Sequence, residues 1–299
     1  MKQLAIIGPT ASGKSDLAIS VAQKIDAYIL SIDSLSIYKK IDIVAAKPSP
    51  DELALVQHFG IDTLYPDEHF SAQVLIELYE EVVQSCLKDA KNLVIVGGTS
   101  FYLKSLTEGL SELPKVDEKT KADVKEQMQN QQEVYEFLRK IDAEHMSNID
   151  KNDSYRTEKA LLIYESTKQT PSEWFASHPP KPLIENLPIF NIDVSREVLK
   201  ERINLRTAKM IEMGVIDEVA SLEQEFGRAI HPMGAIGIVE VLEYLDAKVS
   251  LEEMQKNIAI HTAQLAKRQQ TFNKTQFENI YSAPLQDLEG AILKECFSG

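Results

Sequence analysis

The sequence predicts an α/β fold, a parallel sheet flanked by helices with an all-helical insertion domain, and three features predict it. The first is Gly8-Pro9-Thr10-Ala11-Ser12-Gly13-Lys14-Ser15, which fits the phosphate-loop pattern G-x-x-x-x-G-K-[ST]. The second is a succession of short apolar runs and helix-periodic segments up to residue 99, the signature of strands crossed over by helices. The third is a polar, strand-free stretch from Lys115 to about Pro180, rich in Lys, Glu and Gln. Together they specify a P-loop NTPase-like core from residues 1–113 and 186–299, interrupted by a helical insertion at 114–185.

Leu4-Ala5-Ile6-Ile7 is a short apolar run and reads as a buried strand. After the glycine loop, Leu17, Ala18, Val21, Ala22 and Ile25 recur at helical spacing. Gly8 and Gly13 allow the tight turn that brings backbone N–H groups to an anion. The helix N-terminus adds the positive end of its dipole. Lys14 supplies a point charge for phosphate oxygens, and Ser15 can hold a Mg²⁺. Ala27-Tyr28-Ile29-Leu30-Ser31-Ile32 is a second strand, rich in apolar and β-branched residues, and it ends at Asp33-Ser34. An acid at the C-terminal edge of a strand beside such a loop suits catalysis or metal binding. An Asp-Ser cap is the other reading.

Lys39, Lys40 and Lys47 lie in a loop punctuated by Pro48 and Pro50, available to phosphates or to solvent. Ile61–Leu64 is a weak strand candidate. Val74, Leu75, Leu78, Val82 and Val83 predict a helix over 71–90, with Cys86 on its apolar face. Leu93-Val94-Ile95-Val96 predicts a strand buried on both faces, ending in Gly97-Gly98-Thr99. Within the insertion, Val134, Phe137, Leu138 and Ile141 form one amphipathic stripe, and Ala160, Leu161, Ile163 and Tyr164 part of another. Pro179-Pro180-Lys181-Pro182 is a stiff return link. Ile189–Val194 reads as the last strand. The helix after it carries Arg196, Lys200, Arg202, Arg206 and Lys209, which call for an anionic partner unless they are merely a solvated face. The remainder reads as helical to about 276, broken near Gly227 to Gly237.

The 299 residues carry a formal charge of −14, which argues against a general nucleic-acid binder but leaves room for local basic patches. No apolar run approaches a membrane span, and the N-terminus runs straight into the first strand with no sign of a targeting peptide. Two cysteines, Cys86 and Cys296, form no framework, and the expected compartment is the cytoplasm.

Several stretches resemble one family, the bacterial type of tRNA dimethylallyltransferases, also called tRNA isopentenyltransferases. They are the glycine loop; Asp33-Ser34 with Ile37-Tyr38 and Ala46-Lys47-Pro48; Gly97-Gly98-Thr99 with Tyr102; and Glu108-Gly109-Leu110. Arg196, Leu199, Arg202-Ile203, Arg206, Met210 and Gly214 are similar to the family's basic helix. Ala235-Ile236-Gly237 with Glu240, and Thr262 with Ala266-Lys267-Arg268-Gln269-Thr271, complete the resemblance. The chain departs from it at Ser36, where the family often has Gln, and at Val44-Ala45, where it often has Gly-Thr. Further departures are Ile238-Val239 for the usual Tyr-Lys and Phe272 for Trp.

The resemblance implies transfer of a dimethylallyl group from dimethylallyl diphosphate to N6 of the tRNA adenosine next to the anticodon. It implies Asp33 as general base, with Thr10, Lys14, Thr99 and Arg206 in catalysis. Gly8, Pro9, Thr10, Ala11, Ser12, Gly13, Lys14 and Ser15 would hold the diphosphate, with Mg²⁺ on Ser15. Asp33, Ser34, Leu35, Ser36 and Thr99 would meet the tRNA at the site. Lys121 and Ser154, Tyr155, Arg156, Thr157 and Glu158 would meet it on the insertion. A monomer with no membrane partner is expected. From the residues alone, a small-molecule or nucleotide kinase that uses Asp33 to activate a hydroxyl shares the loop. A non-catalytic phosphate- or RNA-binding module is the third possibility, against which intact Lys14, Ser15 and Asp33 argue.

Overall fold

A computed structural model describes residues 1–297 and divides them into two compact units. The first comprises 1–107 and 184 onward; the second comprises 108–183. In chain order the elements are β1 (Gln3–Ile7), α1 (Lys14–Lys24), β2 (Ala27–Ser31), α2 (Pro50–Leu55), β3 (His58–Phe59), α3 (Ala72–Lys88), β4 (Asn92–Gly97) and α4 (Ser100–Glu108). Five helices follow: α5 (Glu118–Gln127), α6 (Gln131–Ile141), α7 (Ala143–Met146), α8 (Ser154–Thr167) and α9 (Pro171–Ser177). The chain then returns with β5 (Ile189–Ile192), α10 (Arg196–Glu212), α11 (Val215–Phe226), α12 (Ile238–Leu245), α13 (Leu251–Gln276), β6 (Tyr281–Ala283) and α14 (Leu285–Phe297).

All six strands are parallel, in the order β3-β2-β4-β1-β5-β6. Successive side chains of a strand point to opposite faces, so its apolar runs feed two cores. Leu4 and Ile6, Ile29, Val94 and Phe190 pack with Leu17, Ala18 and Val21 of α1 and Leu288 and Ile292 of α14. On the opposite parity, Ala5, Ile7, Leu30, Leu93 and Ile95 are fully buried. Leu75, Val82 and Cys86 of α3 are buried as well, and Cys86 serves as packing. Because β4 lies between β1 and β2, the loop after β1 opens at a reversal of strand order, where α/β sheets bind ligands.

Two strand expectations are corrected. The weak strand is His58–Phe59 on β2, and Leu64 makes only an isolated bridge with Tyr38. Ile189–Ile192 is not the last strand, since Tyr281–Ala283 pairs outside it.

The second unit has its own core of Val124, Val134, Tyr135, Leu138, Met146, Ile149, Ala160 and Leu161. Buried Asp142 ties it together by accepting from Ser172 N and Oγ, each at 2.7 Å, and from His145 N at 3.0 Å. Gly109 sits at φ +81°, where an added Cβ would lie 2.1 Å from the Lys181 carbonyl oxygen.

Candidate active site

The glycine loop joins β1 to α1 through two left-handed residues, Ala11 at φ 61° and Gly13 at φ 90°. Left-handed residues in such a loop are the backbone pattern from which an anion cradle is built. Two arginines of α10, one helical turn apart, reach the loop. Arg202 Nη1 donates to Ser12 O at 3.0 Å and to Ala11 O at 3.4 Å, tying the loop backbone to α10. Arg206 Nη1 donates to Thr10 Oγ1 at 3.0 Å. The basic helix therefore turns part of its charge to the glycine loop.

From α13, Gln269 Oε1 accepts from Thr10 N at 2.8 Å. A Cβ on Gly98 would lie 2.6 Å from Gln269 Nε2 and 3.5 Å from Lys14 Nζ, so this glycine, directly after β4, admits both side chains. Neither Arg202 nor Gln269 stood among the expected site residues. The i,i+4 spacing of Arg202 with Arg206 was the available signal for the first. For Gln269 it was only its place in the Thr262–Phe272 stretch.

Thr10, Lys14, Ser15, Ser31, Asp33, Ser36, His58 and Arg206 line one cavity of about 80 Å³, closed by Ala45, Ala46 and Pro48 of the loop after β2. Burial pulls the Lys14 ammonium down to about 8; nearby Asp33 opposes this and Arg206 adds to it. Burial likewise lowers the Arg206 guanidinium from its ordinary value, against the pull of Asp33. Arginine stays charged regardless. Asp33 Oδ1 accepts from Leu35 N at 3.0 Å and from Ser36 N at 3.3 Å. No helix begins here, so the N-cap reading is replaced by a turn that Oδ1 holds, and Asp33 also lines the cavity.

Gly8, Pro9 and Ser12 are buried parts of the cradle wall. Thr99 stands beside the cavity and not in its lining, with Oγ1 donating to Ser34 Oγ at 3.5 Å. Ser34 and Leu35 are half-buried next to it. Lys40 pairs with Glu225, Lys39 lies over the Tyr65 ring, and Lys47 is bound to protein oxygens. All three loop lysines are committed within the protein. In the helical unit Lys121 is exposed and pairs with Glu118 at 2.7 Å, and Arg156 pairs with Asp153. Ser154 and Tyr155 are exposed, and Glu158 is half-buried. Thr157, expected to meet RNA, is instead fully buried with its hydroxyl donating to Asp153 O at 2.7 Å. Its position on α8 faces the core of the helical unit, so it presents nothing to a partner.

Among the described residues, no group of three or more His, Cys, Asp or Glu side chains could hold a metal. No helix there is long and apolar enough to cross a membrane.

A glycine loop at the C-terminal edge of a parallel sheet, with a lysine, an arginine and a carboxylate on one cavity, defines an α/β protein with a P-loop-like fold. The IPP transferase family model matches residues 36–276, and the chain belongs to that family. It is 60% identical over 293 residues to the tRNA dimethylallyltransferase of Sulfurimonas denitrificans, covering 98% of this chain and 99% of that protein. It is 51% identical to that of Sulfurovum sp., covering 98% of each. Among solved structures, it resembles the full-length tRNA isopentenylpyrophosphate transferase of Bacillus halodurans. The TM-score is 0.72 and identity 27%, over 99% of this chain and 97% of that one. A eukaryotic dimethylallyltransferase acting on tRNA shares the fold, with a TM-score of 0.81 at 24% identity, over 96% of this chain and 75% of that one.

Proposed function

We propose that this protein transfers the dimethylallyl group of dimethylallyl diphosphate to N6 of the tRNA adenosine next to the anticodon, releasing diphosphate. The observation that carries the reading is that Lys14, Arg206 and Thr10 share one small cavity with Asp33. An exocyclic amine is a weak nucleophile because its lone pair is drawn into the ring. It needs an electrophile that ionises readily and a base to take its proton.

The chain's residues meet both needs. The loop amides, the start of α1, Lys14 and Arg206 neutralise the charge that develops on the departing diphosphate. Thr10 Oγ1 accepts from Arg206, so its own proton is free to donate to the leaving oxygen. Asp33 Oδ2 takes the amine proton, while Oδ1 stays fixed by the turn. Thr99 and Ser34, hydrogen-bonded to each other, orient the adenine edge beside Asp33. The base must leave its stack, at a cost of about a few kcal/mol, least in a loop.

Mg²⁺ fits the donors present, because Ser15 lines the cavity beside Asp33 and this ion usually binds one or two protein groups together with substrate phosphates. It would be held by Ser15 and the diphosphate, and would supply charge neutralisation. Lys121, Ser154, Tyr155 and Arg156 offer an exposed surface to the anticodon stem-loop, with cations for its backbone. The reaction as drawn needs one chain, one tRNA and one donor, in the cytoplasm. Transfer from ATP to a small acceptor is not favoured by the relatives.

The test incubates the protein with Mg²⁺, unmodified tRNA and either dimethylallyl diphosphate or ATP, followed by mass analysis of tRNA nucleosides. A dimethylallyl-adenosine formed only with the allylic donor is expected. Phosphorylation of a small acceptor without a modified nucleoside would sink the reading.

A further inference from the structure

One part of the cavity lining, the loop after β2, is fastened by a side chain outside the site. Glu218, in the first turn of α11, extends its carboxylate to three consecutive backbone amides of the loop after β2. Oε2 accepts from Asp42 N at 2.8 Å and Ile43 N at 2.7 Å, and Oε1 accepts from Val44 N at 3.0 Å. Successive amides converging on one anion form a nest, and here the anion is built in. Directly after the nest come Ala45, Ala46 and Pro48, which close the cavity holding Lys14 and Asp33.

Two further ties act on the same loop. Val44 is buried in the hollow over Gly237, where a Cβ on the glycine would come within 3.0 Å of Val44 Cγ1. The nearly buried Lys47 ammonium donates to Tyr38 O at 2.7 Å and to Asp42 and Asp62 Oδ1, each at 2.6 Å. Ala46 is held at φ 46°, a left-handed conformation that an unrestrained alanine rarely keeps. A solvated loop would not need a carboxylate from a helix some 175 residues away in sequence to fix it.

From this we infer that Glu218 is a positioning residue for the transfer: it holds loop 42–48 as a rigid wall so that Asp33 and the acceptor base keep their geometry against the diphosphate. The inference rests on the proposed prenyl transfer for its kinetic consequence, and on the amide nest alone for its structural one. Glu218 touches no reacting atom. Its removal is therefore expected to lower kcat and to leave the cradle's hold on diphosphate intact, since the cradle belongs to β1, α1 and α10.

The test compares the wild-type chain with Glu218→Ala and Glu218→Gln. Hydrogen exchange at the amides of 42–44 reads the clasp independently of activity: they should be protected in the wild type and exchange freely in Glu218→Ala. Single-turnover prenylation of tRNA should fall roughly ten- to a hundredfold in Glu218→Ala, the scale of a misplaced site. Glu218→Gln, which keeps one acceptor oxygen, should lose less. Affinity for inorganic pyrophosphate should stay within error, while the thermal midpoint falls only modestly, as the loss of one carboxylate acceptor implies. Unprotected amides in the wild type, or an unchanged turnover in Glu218→Ala, overturns the assignment. So does a turnover loss matched by an equal loss in pyrophosphate affinity and a large fall in the thermal midpoint, which would show a general structural prop. If the wild type itself prenylates no tRNA, the proposed function fails, and the clasp is then decided by the exchange data alone.

Discussion

At the scale of single residues, the proposed transfer divides the chemistry between Asp33 as base and Lys14 as anion holder, and each makes a prediction of its own. Asp33 Oδ1 caps the turn through Leu35 and Ser36, so Asp33→Asn, whose amide oxygen can still cap, removes the base with less disturbance than alanine. Turnover should drop at least about 100-fold, the lower end for a general base. Pyrophosphate should bind at least as tightly, because a negative charge near Lys14 and Arg206 has gone. Single-turnover prenylation and calorimetry with pyrophosphate check the pair of effects; normal turnover would take Asp33 out of the mechanism. Lys14 predicts a pH dependence. Its burial brings the ammonium down to about 8, so below that pH the free protein holds it charged and ready for the diphosphate. Above it the free protein is neutral there, and binding must first take up a proton. Affinity for dimethylallyl diphosphate should thus be flat below pH 8 and weaken above it, by up to about tenfold per pH unit. An affinity unchanged from pH 7 to 9.5 would show that Lys14 does not titrate on binding.

At the scale of elements, what could be read in advance was what is written locally. β1, β2, β4 and β5 are continuous apolar runs because both of their faces are covered, and the glycine loop is contiguous in sequence. β3 has only two residues, too few for any period, and β6 is an edge strand with Tyr281 and Ser282 exposed, so neither carries the buried-strand pattern. The partners of the loop were hidden for a related reason: Gln269 lies 259 positions from Thr10, and Arg202 190 from Ser12, contacts that only the tertiary fold creates. Thr157 misled because exposed and buried positions alternate along α8 at a spacing that its mixed composition does not declare. Gly109, by contrast, is explained by its surroundings, with the Lys181 carbonyl against the place a side chain would occupy. Gly109→Ala combines a positive φ with that overlap and should cost about 1–3 kcal/mol. Urea unfolding should show the loss as a lower midpoint at constant slope; an unshifted midpoint would mean the backbone there yields freely.

At the scale of the whole molecule, a formal charge of −14 opposes any long-range attraction to RNA. Binding must then come from a few placed cations, and part of the basic charge on unit one is already spent: Arg202 and Arg206 serve the glycine loop, and the buried Lys47 serves the protein itself. In the helical unit Lys121 and Arg156 are exposed but paired within their own helices or caps, to Glu118 and Asp153. Such exposed pairs contribute little to stability and can open at small cost, which leaves both cations available to phosphates. Each phosphate neutralised releases counterions, so the number of contacts is legible in the salt dependence of binding. Lys121→Ala should weaken tRNA binding uniformly across tRNA species and reduce the slope of log K against log salt by roughly 0.7–0.9. It should leave unfolding by heat unchanged, since its ion pair lies at the surface. The same substitution should barely alter single-turnover prenylation at saturating tRNA, because Lys121 has no part in the cavity around Lys14 and Asp33. Equal affinities and slopes for Lys121→Ala and the wild type, measured at several salt concentrations, would remove Lys121 from the RNA surface and shift the search to the exposed Tyr155 and Arg156 of α8.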